Sequence, residues 1–219
     1  MSDAKTDPRR RSALSHRDAV KAPNGAARLA ELPFRGKIAL RGAPDRISGA
    51  VGEALGLKLP VAVKGTSRSG GASALWLGPD EWMIVTEAGG EGAAKAALDK
   101  ALAGSPAQTV DVTDYYTEIV LAGPKAREIL MRIATVDLHP RAFKAGDCIV
   151  SNFGRTVSIC TMVEDVTSGA EDRFEIIVRI SMADYLWCTL AEAGHEWGLP
   201  ELAPKAAKVK LHLPHFEHG

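Results

Sequence analysis

No stretch of the 219-residue sequence reaches about 18 consecutive apolar residues, and none near Met1 has the short apolar core of a secretory leader. The sequence is therefore read as neither membrane-spanning nor secreted. An excess of one charge is also missing, since 27 Lys and Arg are matched by 27 Asp and Glu. That balance argues against the uniformly basic surface of a nucleic-acid binder. Cysteine is scarce: Cys148, Cys160 and Cys188 are an odd number without C-x-x-C spacing. Reduced thiols in a cytoplasmic protein are expected. Catalytic signatures are lacking as well, with no G-x-S-x-G elbow, no G-x-G-x-x-G fingerprint and no phosphate-binding GxxxxGK[ST] loop.

What is present is 46% hydrophobic content in a length suited to one large domain or two small, intimately packed ones. Residues 110–143, VDVTDYYTEIVLAGPKAREILMRIATVDLHPRAF, carry the clearest local pattern. Ile119, Val120 and Leu121 form a short β-rich run. Gly123-Pro124 turns the chain, Gly through its permissive backbone and Pro through its fit to a first helical turn. Ile129, Leu130, Ile133 and Ala134 then recur at helical spacing, and His139-Pro140 ends that helix.

The same unit occurs earlier. Residues 37–47, KIALRGAPDRI, align with residues 118–129, EIVLAGPKAREI, so that Ile38, Leu40, Gly42 and Arg46 match Ile119, Leu121, Gly123 and Arg127. Asp80 to Val85, DEWMIV, echoes Asp172 to Val178, DRFEIIV. The fold class expected is α+β: two β-α-β-β-α units related by an approximate two-fold, with antiparallel sheets faced by helices. Residues 34–112 are assigned to the first unit and 113–199 to the second. Ile38, Leu40, Val51, Leu55, Ile119, Leu121, Ile129, Ile133, Leu186 and Leu190 are the expected core. Met182, Tyr185, Leu186, Thr189, Leu190 and Ala193 make the expected buried stripe of the last helix.

Residues 1–33 hold few large apolar side chains, and Lys5, Arg9, Arg10, Arg11, Arg17 and Lys21 outnumber Asp3, Asp7 and Asp18. Such composition reads as a flexible basic arm, either solvated or ordering against an acidic partner. Residues 200–219 read as a polar tail.

Candidate chemistry is sparse, and each candidate has a plainer reading. The loop from Lys64 to Gly71 could wrap a phosphate, but a hairpin loop suits its sequence better. Trp76 and Trp82 flank the Gly78-Pro79-Asp80 turn, as a stacking platform for a flat ligand or, more simply, as cross-strand partners. Asp111 and Asp114 could supply a base, yet turn formation is the simpler role. His139 reads as a turn residue. His212, His215 and His218 repeat every third residue, a ligand-like spacing that Pro214 prevents a helix from aligning. From the residues, no catalytic, cofactor-binding or metal-ligating side chain is assigned.

Four segments together resemble the gamma subunit family of heterotetrameric sarcosine oxidase. They are LWLGPDEWMIV (75–85), VDVTDYYTEIVLAGPKAREIL (110–130), VDLHPRAF (136–143) and the helix around Tyr185-Leu186-Trp187. The resemblance covers most of residues 30–198. It implies the folate-binding-domain fold of aminomethyltransferases, the glycine-cleavage T-proteins. It also implies a place beside alpha, beta and delta subunits in a complex that oxidises sarcosine to glycine and passes the one-carbon unit to tetrahydrofolate. FAD, FMN, NAD and the tetrahydrofolate site are expected in those partners, and this chain is expected to assemble rather than catalyse. Tyr115-Tyr116 stands where a more polar, arginine-containing turn is expected, a departure that points to a paralogue acting on another N-methyl amine. The competing readings are a small folate-dependent aminomethyl or formyl transferase and a stand-alone folate-binding protein.

Overall fold

In residues 35–41, RGKIALR, apolar and polar side chains alternate, and the segment forms strand β3 (Arg35–Arg41). A computed structural model describes residues 10–166 and 170–200 of the chain. Ile38 and Leu40 on one face of β3 are buried against helix α1 (Pro44–Leu55) and helix α2 (Glu91–Ala101). Helix α1 starts with Pro at its first turn and stops at Gly56, whose left-handed φ of 65° lets its N–H bond Gly52 O. Strands β4 (Thr66–Ser69), β5 (Ala72–Gly78) and β6 (Glu81–Ala88) lie between those helices in sequence. The Lys64–Gly71 loop is thus a hairpin, turned by Gly70 and Gly71 with φ of 56° and 82°.

After α2 comes β7 (Gln108–Asp111), and the pattern repeats as β8 (Tyr116–Ala122), helix α3 (Ala126–Met131), β9 (Cys148–Phe153), β10 (Thr156–Glu164), β11 (Arg173–Arg179) and helix α4 (Ala183–Ala193). Two short strands precede β3: β1 (Val20–Lys21) and β2 (Arg28–Glu31). One sheet has the order β4-β5-β6-β3-β7, and the other contains β9-β10-β11-β8-β2 with β1 outside β2. The orders match position by position, and every pairing is antiparallel. Even the corners agree. Gly42 N–H donates to Asp80 O and Gly123 N–H to Asp172 O, both at 3.0 Å.

The edge strands are exchanged between the units. Strand β2, which leads into the first unit, pairs with β8 of the second, whereas β7, which leads into the second, pairs with β3 of the first. The crossing chains lie close. Leu32 N–H donates to Glu118 O at 2.8 Å, and Val112 N–H donates to Lys37 O at 2.9 Å.

Four layers result. Helices α1 and α2 cover one sheet through Ile47, Val51, Leu98 and Trp82. Helices α3 and α4 cover the other through Ile129, Leu130, Leu186, Leu190, Phe174 and Met162. Between the sheets, Leu75, Met83 and Val85 pack on Cys148, Ile159 and Ile177.

Several expectations need correction. The arm expected over residues 1–33 is folded from Arg10 onward: Leu14, Val20, Ala22, Ala27 and Leu29 are buried in the core of the second sheet. Few apolar residues suffice there because Leu14, Val20 and Leu29 join a core whose bulk comes from β8 and α4. Helix α3 ends at Met131, and Ala134 instead bridges Phe153 in the extended form. Leu55 and Ile133 are only partly buried; the other eight expected core residues are buried. Helix α4 is rotated from the expected stripe, burying Ala183, Leu186, Trp187, Leu190 and Ala191 while Tyr185 is exposed and Thr189 half-buried. The tail at 201–219, with His212, His215 and His218, lies outside the described residues.

Candidate functional site

Where the exchanged strands cross, a cleft of about 680 Å³ opens. Arg10 to Ala13 form one wall, and Phe34, Thr113, Asp114, Tyr116, Thr117 and Ile180 form the rest. The wall segment is held in place by Leu14, which is buried, and by an ion pair and a hydrogen bond to α4. Arg17 Nε and His16 Nε2 both reach Asp184 Oδ1 at 2.8 Å. The neighbouring Arg17 guanidinium holds the Asp184 carboxyl below its usual range. Within the cleft Arg10 pairs with Asp114 at 2.5 Å and lies 4.7 Å over the Phe34 ring. Tyr115 and Tyr116 meet edge to face at 4.8 Å, and the Arg179 guanidinium stands 5.4 Å over Tyr115. Burial pushes the Tyr116 hydroxyl above its ordinary pKa despite Arg179 beside it.

Beneath the cleft lies a charge cluster between the sheets. Arg35 NH1 donates to Glu118 Oε1 at 2.9 Å and to Glu175 Oε2 at 3.2 Å. Arg68 and Arg173 also donate to Glu175, at 3.3 and 3.0 Å. Lys37 is fully buried and donates its ammonium to Arg35 O at 2.8 Å. Burial drives the Glu118 carboxyl up to about 7, more than Arg35 can offset. Glu175 is also raised by burial, but Arg68, Arg35 and Arg173 together bring it below its ordinary value. Burial likewise lowers the Lys37 ammonium. The charges of the cluster face one another across the sheets and make it a joint between them, although Arg35 Nε, Arg173 Nε and Glu118 Oε2 are buried without a hydrogen-bond partner.

Of the residues singled out in sequence, the structure brings Asp114, Tyr115 and Tyr116 together at the cleft. Asp111 instead accepts the Thr113 N–H at 2.9 Å, the turn role. Trp76 and Trp82 are cross-strand partners, Trp82 wholly buried with its Nε1–H on Pro60 O at 2.7 Å. His139 sits in a turn, its N–H on Asp137 Oδ1. Among the described residues no three His, Cys, Asp or Glu gather to hold a metal, and no helix is long and apolar enough to cross a membrane. Sequence reasoning missed Arg10, Arg35, Lys37, Glu118 and Glu175. The signal available was two ionisable residues, Lys37 and Glu118, at matching places before the Ile-x-Leu motif.

The profile of the sarcosine oxidase gamma subunit family matches residues 41–196. The chain belongs to that family. A sarcosine oxidase subunit gamma of Corynebacterium sp. (strain P-1) is 31% identical over 183 residues, 82% of this chain and 85% of that one. The solved heterotetrameric sarcosine oxidase from Corynebacterium sp. U-96, in complex with pyrrole 2-carboxylate, contains a chain that superposes with a TM-score of 0.78 at 28% identity. The match covers 89% of this chain and 99% of that one. The glycine cleavage system aminomethyltransferase T from Bartonella henselae shares the fold, with a TM-score of 0.58 at 17% identity over 81% of this chain and 48% of that one. The expected resemblance and fold class are thereby established for this gamma family member.

Proposed function

We propose that this chain is the gamma subunit of a heterotetrameric sarcosine oxidase-like complex and contributes assembly rather than chemistry. The observation that carries this reading is the likeness to a chain of the heterotetramer over 99% of that chain's length. The polar groups agree with it: Arg10 is taken up by Asp114, and Arg35, Arg68 and Arg173 by Glu118 and Glu175. Alpha, beta and delta subunits are its partners, and FAD, FMN, NAD and tetrahydrofolate bind to them. The complex converts sarcosine to glycine and transfers the one-carbon unit to tetrahydrofolate.

An affinity-tagged chain expressed in the source cell tests this directly. It should recover three other subunits in equal amounts, with flavin absorbance in the complex and none in the isolated chain. Saturable binding of tetrahydrofolate by the isolated chain would instead favour a free-standing folate-dependent protein.

A further inference from the structure

The segment joining α1 to β4 exposes the two most solvent-accessible large apolar side chains among the described residues, Val61 at 68% and Val63 at 71%. Loose loops often expose a valine, but this one is held from every side. Leu57 and Leu59 are buried in the core beneath α1. Pro60 O accepts the Trp82 indole N–H at 2.7 Å, and Gly65 N–H closes a tight turn on Ala62 O at 2.9 Å. Lys64 O accepts Cys148 N–H at 2.7 Å, Lys64 Nζ donates to Ala142 O at 2.8 Å, and Trp76 N–H donates to Gly65 O at 3.0 Å. Those bonds tie the tip to both sheets.

The tip also carries backbone strain. Lys64 has φ of 66°, a left-handed conformation uncommon for a residue other than glycine. A Cβ at Gly65 would lie 2.8 Å from Pro60 Cβ and 2.9 Å from Ala62 O, so only glycine closes the turn this tightly. The strained Lys64 bonds Cys148 and Ala142 of the second unit, and the same tight turn fixes the two valines rigidly in water. Rigid, exposed apolar side chains lose little freedom on docking, which is how a few residues come to dominate an interface.

We infer that Val61 and Val63 form a preorganised plug that seats in an apolar pocket on one of the larger partner subunits. This rests on the subunit reading above. The chemistry of the receiving surface follows from the tip. Residues 60–63, PVAV, bear no charge, so the pocket floor is apolar. Lys58 and Lys144 are exposed, whereas Lys64 is half-buried with its ammonium on Ala142 O, so the rim that meets the two exposed lysines is acidic. The opposite signs would orient the approach and the valines would supply the hold.

The test uses the full chain, tagged and expressed in the source cell in place of the native copy. Val61→Asp with Val63→Asp should leave the melting temperature of the isolated chain unchanged, because neither side chain is buried. Recovery of the intact complex should fall at least tenfold. Lys58→Glu should weaken assembly less, and mainly at low salt. Equal recovery with the doubly charged tip would overturn the plug while leaving the subunit reading intact. A wild-type chain that recovers no partner would instead remove the subunit reading. Sedimentation that shows the wild-type chain dimerising alone and the variant monomeric would assign the tip to a second copy and overturn the proposal. If the aspartates lower the melting temperature, Val61→Ser with Val63→Ser gives the same decision without added charge.

Discussion

Lys37 and Glu118 occupy the same place in the two units, each one residue before the Ile-x-Leu pair that begins the core. Both are buried, at 0% and 1% exposure, one a base and the other an acid. Each contacts Arg35 rather than the other: Glu118 takes its guanidinium and the Lys37 ammonium its backbone carbonyl, in the layer where the sheets meet. Arg35 and Glu175 complete that joint.

The joint makes stability depend on pH. Glu118 is held near 7 in the folded chain, against an ordinary value of 4.5. Between those values the folded state keeps a proton that the unfolded chain has released. The contribution is therefore complete below about pH 4.5 and is lost as pH rises through 7. Glu175 is shifted the other way, so its contribution is present above 4.5 and fades at lower pH. Glu118→Gln removes the first effect. Thermal melts between pH 5 and 8 should slope downward for the natural chain and run flatter for the variant. Parallel curves would place the titration elsewhere.

Arg127 should be the most costly single charge to remove. It is 6% exposed, pairs with Asp172 at 2.7 Å, and donates to Leu138 O and Phe143 O at 2.5 and 2.8 Å. Arg127→Met strands Asp172 and frees the loop after α3, at about 3–5 kcal/mol. Adding Asp172→Leu should recover part of that loss in a urea-denaturation cycle, since the pair is then replaced rather than broken. Strictly additive costs would contradict the coupling.

Leu121→Ala should cost about 2–5 kcal/mol, because Leu121 is wholly buried between β2, β11 and the helices. Gly123→Ala should cost more than about 1 kcal/mol despite the small added volume. Gly123 has φ of 126°, and a Cβ there would lie 2.6 Å from Ala26 O. Chemical denaturation reads both values, and a change below about 0.5 kcal/mol at Leu121 would contradict its burial.

Truncation tests the folded part of the basic N-terminal segment. Removing residues 1–21 strips Leu14, Val20 and the Arg17–Asp184 ion pair, and should lower it by several degrees. Equal melting temperatures would mean that β1 and the preceding turn carry no stability.

The repeat was legible because its strands and corners are fixed by local chemistry: Ile-x-Leu alternation, a glycine that permits the corner and a proline near the helix start. Position α1 shows this best, with Pro44 and Gly56 marking both its ends. Strand β2 was not legible. RLAE has one large apolar residue, and Leu29 is buried only because β8 lies beside it, which no local pattern reveals. Helix α3 was read too long because Ile133 and Ala134 keep helical spacing, yet Phe153 draws Ala134 into a β-bridge. At the cleft, Asp114, Tyr115 and Tyr116 stood out in sequence, but Arg10 did not, being one of several arginines in a polar stretch. Lys37 and Glu118 lie on the faces of their strands opposite Ile38 and Ile119, and both are buried. A second sheet covers that face, and a strand carries no mark of whether its other face will be covered.

The exchanged strands set a constraint on how the chain can be made. Strand β2 leaves the ribosome early, but its partner β8 follows roughly 90 residues later, as the pairing of Arg28 with Ala122 and of Glu31 with Ile119 shows. At about 5–20 residues per second, β2 waits roughly 5–20 s with its hydrogen-bonding edge unmet. Strand β7 meets no such delay, because β3 is already present when it emerges. Synthesis therefore completes the β4–β7 sheet first, and the second sheet closes only when the oldest part of the chain is captured by the newer.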